Sequence, residues 1–219
     1  MAPSIMHDGD VSLAASLSID VLTQVLSRDW SVRAGDLEWS CRRTLDHIID
    51  VLALYASAVA LPVQSRDEWI PTRNGDPDAG IAELLQVLRR GAAVLEKVFN
   101  ASPPSARAFH PSGMSDADGF RAMACSEILT HTDDILLAFG TAAAFKPQSD
   151  LCERILRRVF PWAPDTRECP DRWLAVKWSC GRVELPGYPR LDDRWWWFSA
   201  PIAEWDGTRN ERTAPPAWN

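Results

Sequence analysis

Four stretches of this chain repeat apolar residues at helical spacing, and each is bracketed by residues that start or stop helices. From Val11 to Arg28, Leu17, Val21, Leu22, Val25 and Leu26 share one face, with Asp10 as the expected cap. A second run opens at Ser40, a favoured N-cap type, and reaches Leu61 before Pro62 stops it. Its later part, HIIDVLALYASAVAL, holds one charged residue, so that helix should be buried on several sides. Ile81 to Phe99 keeps the period through Leu84, Leu85, Leu88, Leu95 and Val98. The fourth run extends from Asp116 to Phe139, with Gly140 placed to close it. PTRNGDPDAG and the proline-containing NASPPSARAFHPSG read as connections. Together these features predict a mainly α fold, with a four-helix bundle over residues 1–145.

After Phe145 the pattern changes, and residues 146–219 read as a small tryptophan-rich α/β extension packed on the helices. Ser149 to Phe160 predicts a short helix stopped by Pro161, and Pro170 opens another that ends at Gly181. RVEL and RWWWFSA flank PGYPRLDD, which predicts a β-hairpin; the tail EWDGTRNERTAPPAWN is polar. In a strand, Trp195 and Trp197 would share one face and Trp196 would take the other. Such a cluster either staples the hairpin to the helices or walls a substrate pocket.

Charge and cysteine usage narrow the partners. Thirty acidic against 23 basic side chains give a net charge of -7, and no Lys/Arg block offers a nucleic-acid patch. Cys41, Cys125, Cys152, Cys169 and Cys180 are odd in number and lack CxxC spacing, which predicts reduced thiols. The N-terminal residues lack a basic segment followed by an apolar run, and no stretch is long enough to span a membrane. The expectation is a soluble cytoplasmic protein, monomer or homodimer, with small-molecule partners and neither nucleic acid nor membrane.

The chemistry concentrates in SEILTHTDDI. Glu127 and His131 lie four residues apart on the stripe that Phe120, Ala124, Ile135 and Ala138 define, so both point the same way. A core histidine with a backbone partner, or a simple Glu–His ion pair, would also produce this pattern. His47 adds a third donor, one turn before Val51 and two before Tyr55 on the most apolar helix. Two imidazoles and one carboxylate from facing helices make a His2Glu set with open metal positions. Zinc suits it first, with nickel, manganese or iron(II) as alternatives. Asp50, Asp133 and Asp134 are candidates to orient a ligand imidazole, or solvated face residues. Arg182 is a candidate for binding a substrate carboxylate or a polar cofactor group, or a surface ion pair. His110 reads as a loop cap, a fourth ligand or an acid/base group. Cys125 falls on another helix face and reads as a small core residue, and His7 has no assigned role.

WSCRRTLDHIIDVLALYA, HPSGMSDADGFRAMACSEILTHTDDIL and CERILRRVFPWAP resemble the mycothiol-dependent maleylpyruvate isomerase family of the DinB-like superfamily. The resemblance runs roughly from Trp30 to Ala200, and its most specific part is the ordered set His47, Glu127 and His131. It implies an up-and-down four-helix bundle with zinc held by those three residues. It also implies a metal that activates the thiol of mycothiol, or of a similar small thiol, for addition to an electrophilic substrate. Isomerases of the family release the thiol again, and S-transferases keep it on the product. The family isomerase carries a separate C-terminal domain where this chain has its tryptophan-rich segment. Two other classes stay open: a zinc-dependent hydrolase using metal-bound water, and a non-catalytic binding protein.

Overall fold

The computed structural model describes residues 4–71 and 76–212. Residues 72–75 of the expected connection and 213–219 of the polar tail lie outside them. The fold is mainly helical, with a small two-stranded antiparallel sheet.

Local sequence explains the helix ends. α1 (Asp10–Leu22) continues into a 3-10 turn at Thr23–Val25. Asp10 does not cap it. Gly9 occupies the cap at φ +90, and the Asp10 carboxylate accepts from the His7 N–H and pairs with Arg154 at 2.7 Å. α2 (Cys41–Ala60) begins where Ser40 Oγ accepts from the Arg43 N–H, one of the amides that a helix start leaves unpaired. α3 (Ile81–Ala101) begins with the Gly80 N–H donating to the Glu83 carboxylate at 2.7 Å. Asp116 caps α4 (Ala117–Ala138) by accepting from the Gly119 N–H, and Gly140 follows in the left-handed region. α5 spans Ser149–Val159, and α6 spans Arg172–Ser179 with Asp171 as its cap.

α1 packs on α3 and α4, α2 packs on the same two helices, and α5 covers a further side of α4 and carries α6. The consequence is an α4 without a solvent face: every residue from Gly119 to Leu136 is buried. The sequence reading of one inward stripe is therefore too narrow. Polar residues on the other faces, such as Asp133 and Arg121, are buried against partners from neighbouring elements.

The expected hairpin of RVEL and RWWWFSA does not form among the described residues. Leu185 bridges only to Tyr188 across its own turn, and Trp195 bridges to Glu211. A 3-10 turn at Asp192–Arg194, with Asp192 at φ 50, interrupts the extension that a ladder needs. The tryptophans pack on each other instead, Trp195 and Trp197 with ring centres 5.1 Å apart. The sheet lies in what the sequence suggested was an irregular connection. β1 (Ala108–His110) pairs with β2 (Gly113–Ser115), His110 opposite Gly113. No helix among the described residues is long and apolar enough to cross a membrane.

Candidate metal centre

α2 and α4 face each other, and their contact line places His47 opposite Glu127 and His131. Each of the three residues is more than nine-tenths buried. The Glu127 Oε2 atom lies 3.0 Å from His131 Nε2 and 3.4 Å from His47 Nε2. Two ligands on one tetrahedral zinc, each at about 2.0–2.1 Å, stand roughly 3.3 Å apart, so these separations suit a shared ion. All three donor atoms fall within 4.8 Å of one another, and among the described residues no other His/Cys/Asp/Glu group does so. Two nitrogens and a carboxylate oxygen form a borderline donor set that fits a divalent metal such as zinc.

The electrostatics of the cluster follow from burial and pairing. Burial alone would raise the Glu127 pKa, but hydrogen bonds from His131 and His47 reverse this and hold it well below the carboxylate range. Burial would also lower the His131 pKa, yet its hydrogen bonds to Asp134 and Glu127 raise it. For His47 burial wins over Glu127, and its pKa is lowered. Before metal binding, then, one imidazole favours the neutral form and the other resists losing its proton.

The surroundings orient the ligands. His131 Nδ1 donates to Asp134 Oδ2 at 3.0 Å, which leaves Nε2 free to ligate. Arg182 grips Asp134 with Nε and Nη2 and donates to the Cys180 carbonyl with Nη1 at 2.8 Å. Its guanidinium is thus engaged in an ion pair with Asp134, the alternative that the sequence offered beside substrate contact. Asp133 faces Lys177 at 3.7 Å and Asp50 faces Arg43 at 3.4 Å, so neither is the carboxylate beside His131.

Trp39 was missed by sequence reasoning. Its ring centre lies 4.8 Å from that of His47 and 6.5 Å from that of His131, and the Arg43 guanidinium lies over the ring at 4.9 Å. Position just before an N-cap was the only signal available.

His110 lies apart from the triad, at the end of β1. The Ser112 N–H donates to its Nδ1 at 3.1 Å, which leaves the proton on Nε2, 3.3 Å from the Tyr55 hydroxyl. The rings of Tyr55, Trp69, Phe120 and Trp197 surround it. Burial pushes its pKa down to about 3. Cys125 is fully buried and is not among the clustered donors.

Two surface clefts of about 580 Å³ each lie elsewhere, one beside Val94 and Val98, the other beside Arg121 and Arg158. The first lacks titratable groups beyond Lys97, and the arginines of the second are paired with acids. The triad, though nearly closed, is where the reactive groups converge. No family model, curated protein or solved structure matches the chain.

Proposed function

We propose that this chain is a DinB-like four-helix bundle and a metal-dependent enzyme. In this reading it activates a low-molecular-weight thiol such as mycothiol for addition to a small electrophilic substrate, in S-transfer or isomerisation. The observation that carries the reading is the convergence of His47, Glu127 and His131 on one buried point between α2 and α4. These three residues would hold zinc, with nickel, manganese or iron(II) as chemical alternatives. A bound zinc ion would lower the pKa of a coordinated thiol and so supply a nucleophile at neutral pH.

The chain's own residues set the stage for that chemistry. Asp134, fixed by Arg182, holds His131 in the tautomer that presents Nε2. Trp39 covers the imidazoles and limits water. The protein offers no competing thiolate: burial raises all five cysteine pKa values, those of Cys152 and Cys180 to about 12 and that of Cys41 to about 11. No cysteine is among the clustered donors either, so in this reading the sulfur nucleophile comes from outside the chain.

Cobalt substitution tests the reading. Adding mycothiol to the cobalt-loaded protein should produce a sulfur-to-cobalt charge-transfer band in the near ultraviolet. Turnover should then require thiol. A protein that loads cobalt but shows no band with any small thiol would leave water as the nucleophile and make the hydrolase reading the better one.

A further inference from the structure

The triad is closed on almost every side, yet a metal ion or ligand must reach it from water. α4 offers no way in, because every residue from Gly119 to Leu136 is buried. On α2 the residues from Thr44 to Val51 are buried too, except Asp46, which points about 100° around the helix from His47. Two further side chains flank the imidazoles. Asp134 is buried and tied down by Arg182. Trp39 is only half-buried, with its ring centre 4.8 Å from that of His47 and 6.5 Å from that of His131. Of the two, it is the one that meets both the triad and solvent.

Around Trp39 the backbone is fixed and the side chain is not. Backbone hydrogen bonds stitch residues 30–34 to 39–42. The Ala34 N–H donates to the Trp39 carbonyl at 2.9 Å, the Cys41 N–H to the Val32 carbonyl at 2.8 Å, and the Arg42 N–H to the Trp30 carbonyl at 2.9 Å. The same loop is pressed on α4 at Gly35, where a Cβ would stand 3.4 Å from the Asp134 carbonyl oxygen. Opening the whole loop would break all of these contacts. The indole is held more lightly. Among the described residues no hydrogen bond anchors it. Its ring contacts are the two imidazoles and the Arg43 guanidinium, 4.9 Å from the ring centre and paired in turn with Asp50 at 3.4 Å. A change of rotamer would break these contacts and leave the backbone in place.

We propose that the Trp39 indole is the gate of the metal centre. Its rotation, resisted by the Arg43 guanidinium, opens the path by which a metal ion, and then a ligand, reaches His47, Glu127 and His131. The proposal rests on the metal reading and deepens it, and it does not depend on thiol chemistry. A gate changes the rates of entry and exit by the same factor and leaves the equilibrium alone, whereas a residue that orients a ligand changes the affinity.

The test is stopped-flow cobalt exchange on the full chain. Uptake is read from the growth of the visible cobalt absorption, and release from its decay after mixing with excess chelator. Trp39→Ala should speed both by the same factor, roughly tenfold, the size of one lost aromatic contact, and leave the dissociation constant within about threefold of wild type. Trp39→Phe, with a smaller ring in the same place, should fall between. Arg43→Gln should speed both by about two- to fivefold through loss of the cation–π contact. If Trp39→Ala fails to fold, Trp39→Phe and Arg43→Gln carry the same comparison. A wild-type chain that binds no cobalt would sink the metal reading and this proposal with it. Normal loading with unchanged rates in the Trp39 variants would overturn the gate and leave the metal centre standing. Faster release without faster uptake, and so weaker binding, would also overturn it and make Trp39 a residue that positions His47.

Discussion

Arg182 holds Asp134 through two nitrogens, Nε at 3.3 Å from Oδ1 and Nη2 at 2.9 Å from Oδ2. That pair joins the segment after α6 to the α4 helix at the residue that orients His131. Burial alone would raise the Asp134 pKa, but Arg182 and His131 together outweigh it and lower the value to about 2, so the carboxylate stays ionised near neutral pH.

The first prediction follows from this link. Arg182→Met and Asp134→Ala should each weaken zinc binding roughly 10- to 100-fold, the usual cost of losing a group that orients a ligand histidine. Chelator competition measures it. Arg182→Lys should recover part of the loss, and an unchanged affinity in Asp134→Ala would separate the carboxylate from the site.

Metal binding should also depend on pH in a defined direction. His131, with its pKa raised above 6.5, must give up a proton to ligate. Zinc affinity should therefore begin to fall at a pH above the ordinary histidine value and decline by about tenfold per unit below it. Calorimetry in buffers of different ionisation enthalpy should register close to one proton released per zinc. Release of no proton between pH 6 and 7 would mean that His131 is already neutral.

Much of this organisation was readable from sequence where it rested on local chemistry. The cap at Ser40, the helix start at Asp116, the stop at Pro62 and the left-handed Gly140 are short-range signals, and the helix ends follow them within a residue or two. His47, Glu127 and His131 were legible because ionisable residues on an apolar helical face need a partner. What was not legible depends on distant chain. Three-residue strands at Ala108–His110 and Gly113–Ser115 are too short for a two-residue period to register. RWWWFSA has strand-like composition, yet its rings found partners in each other and in His110, and no neighbouring strand competed. Trp39 over the imidazoles, and Arg182 on Asp134, are long-range contacts without a local pattern.

His110 supplies a stability test independent of any metal. Its folded pKa of about 3 lies below the unfolded value of about 6.5, so the unfolded state binds more protons between those limits. The stability it contributes is complete above pH 6.5 and declines as pH falls toward 3. Asp133, raised by burial to about 6, acts with the opposite sign in part of that window. The difference between wild type and His110→Gln therefore isolates the histidine. In urea denaturation from pH 7 to 4, the wild type should lose more stability than the variant. Parallel losses would place His110 in a solvated, easily protonated environment.

Gly181 offers a steric test of how the tryptophan segment reaches the site. It sits at φ +70, and a Cβ there would overlap the Asp192 carbonyl oxygen and crowd Trp195. Gly181→Ala should destabilise the protein by about 2–3 kcal/mol, from left-handed strain and overpacking together. It should also weaken zinc binding by displacing Arg182. A thermal melt and a chelator titration on the same sample check both. Wild-type stability in this variant would mean that the Asp192–Trp195 segment moves aside freely.

The central claim is that His47, Glu127 and His131 jointly hold one divalent metal ion, and zinc titration of the purified chain against a competing chelator tests it most directly. The wild type should bind one zinc per chain. His47→Ala should bind far more weakly while keeping its helical far-ultraviolet signal, because buried helix packing and not the metal carries most of the stability of a core this size. The triple variant His47→Ala, Glu127→Gln, His131→Ala should retain no stoichiometric zinc. A wild-type protein that binds no zinc, cobalt, nickel, manganese or iron(II) in stoichiometric amount, or a triple variant that binds as tightly as the wild type, would contradict the account.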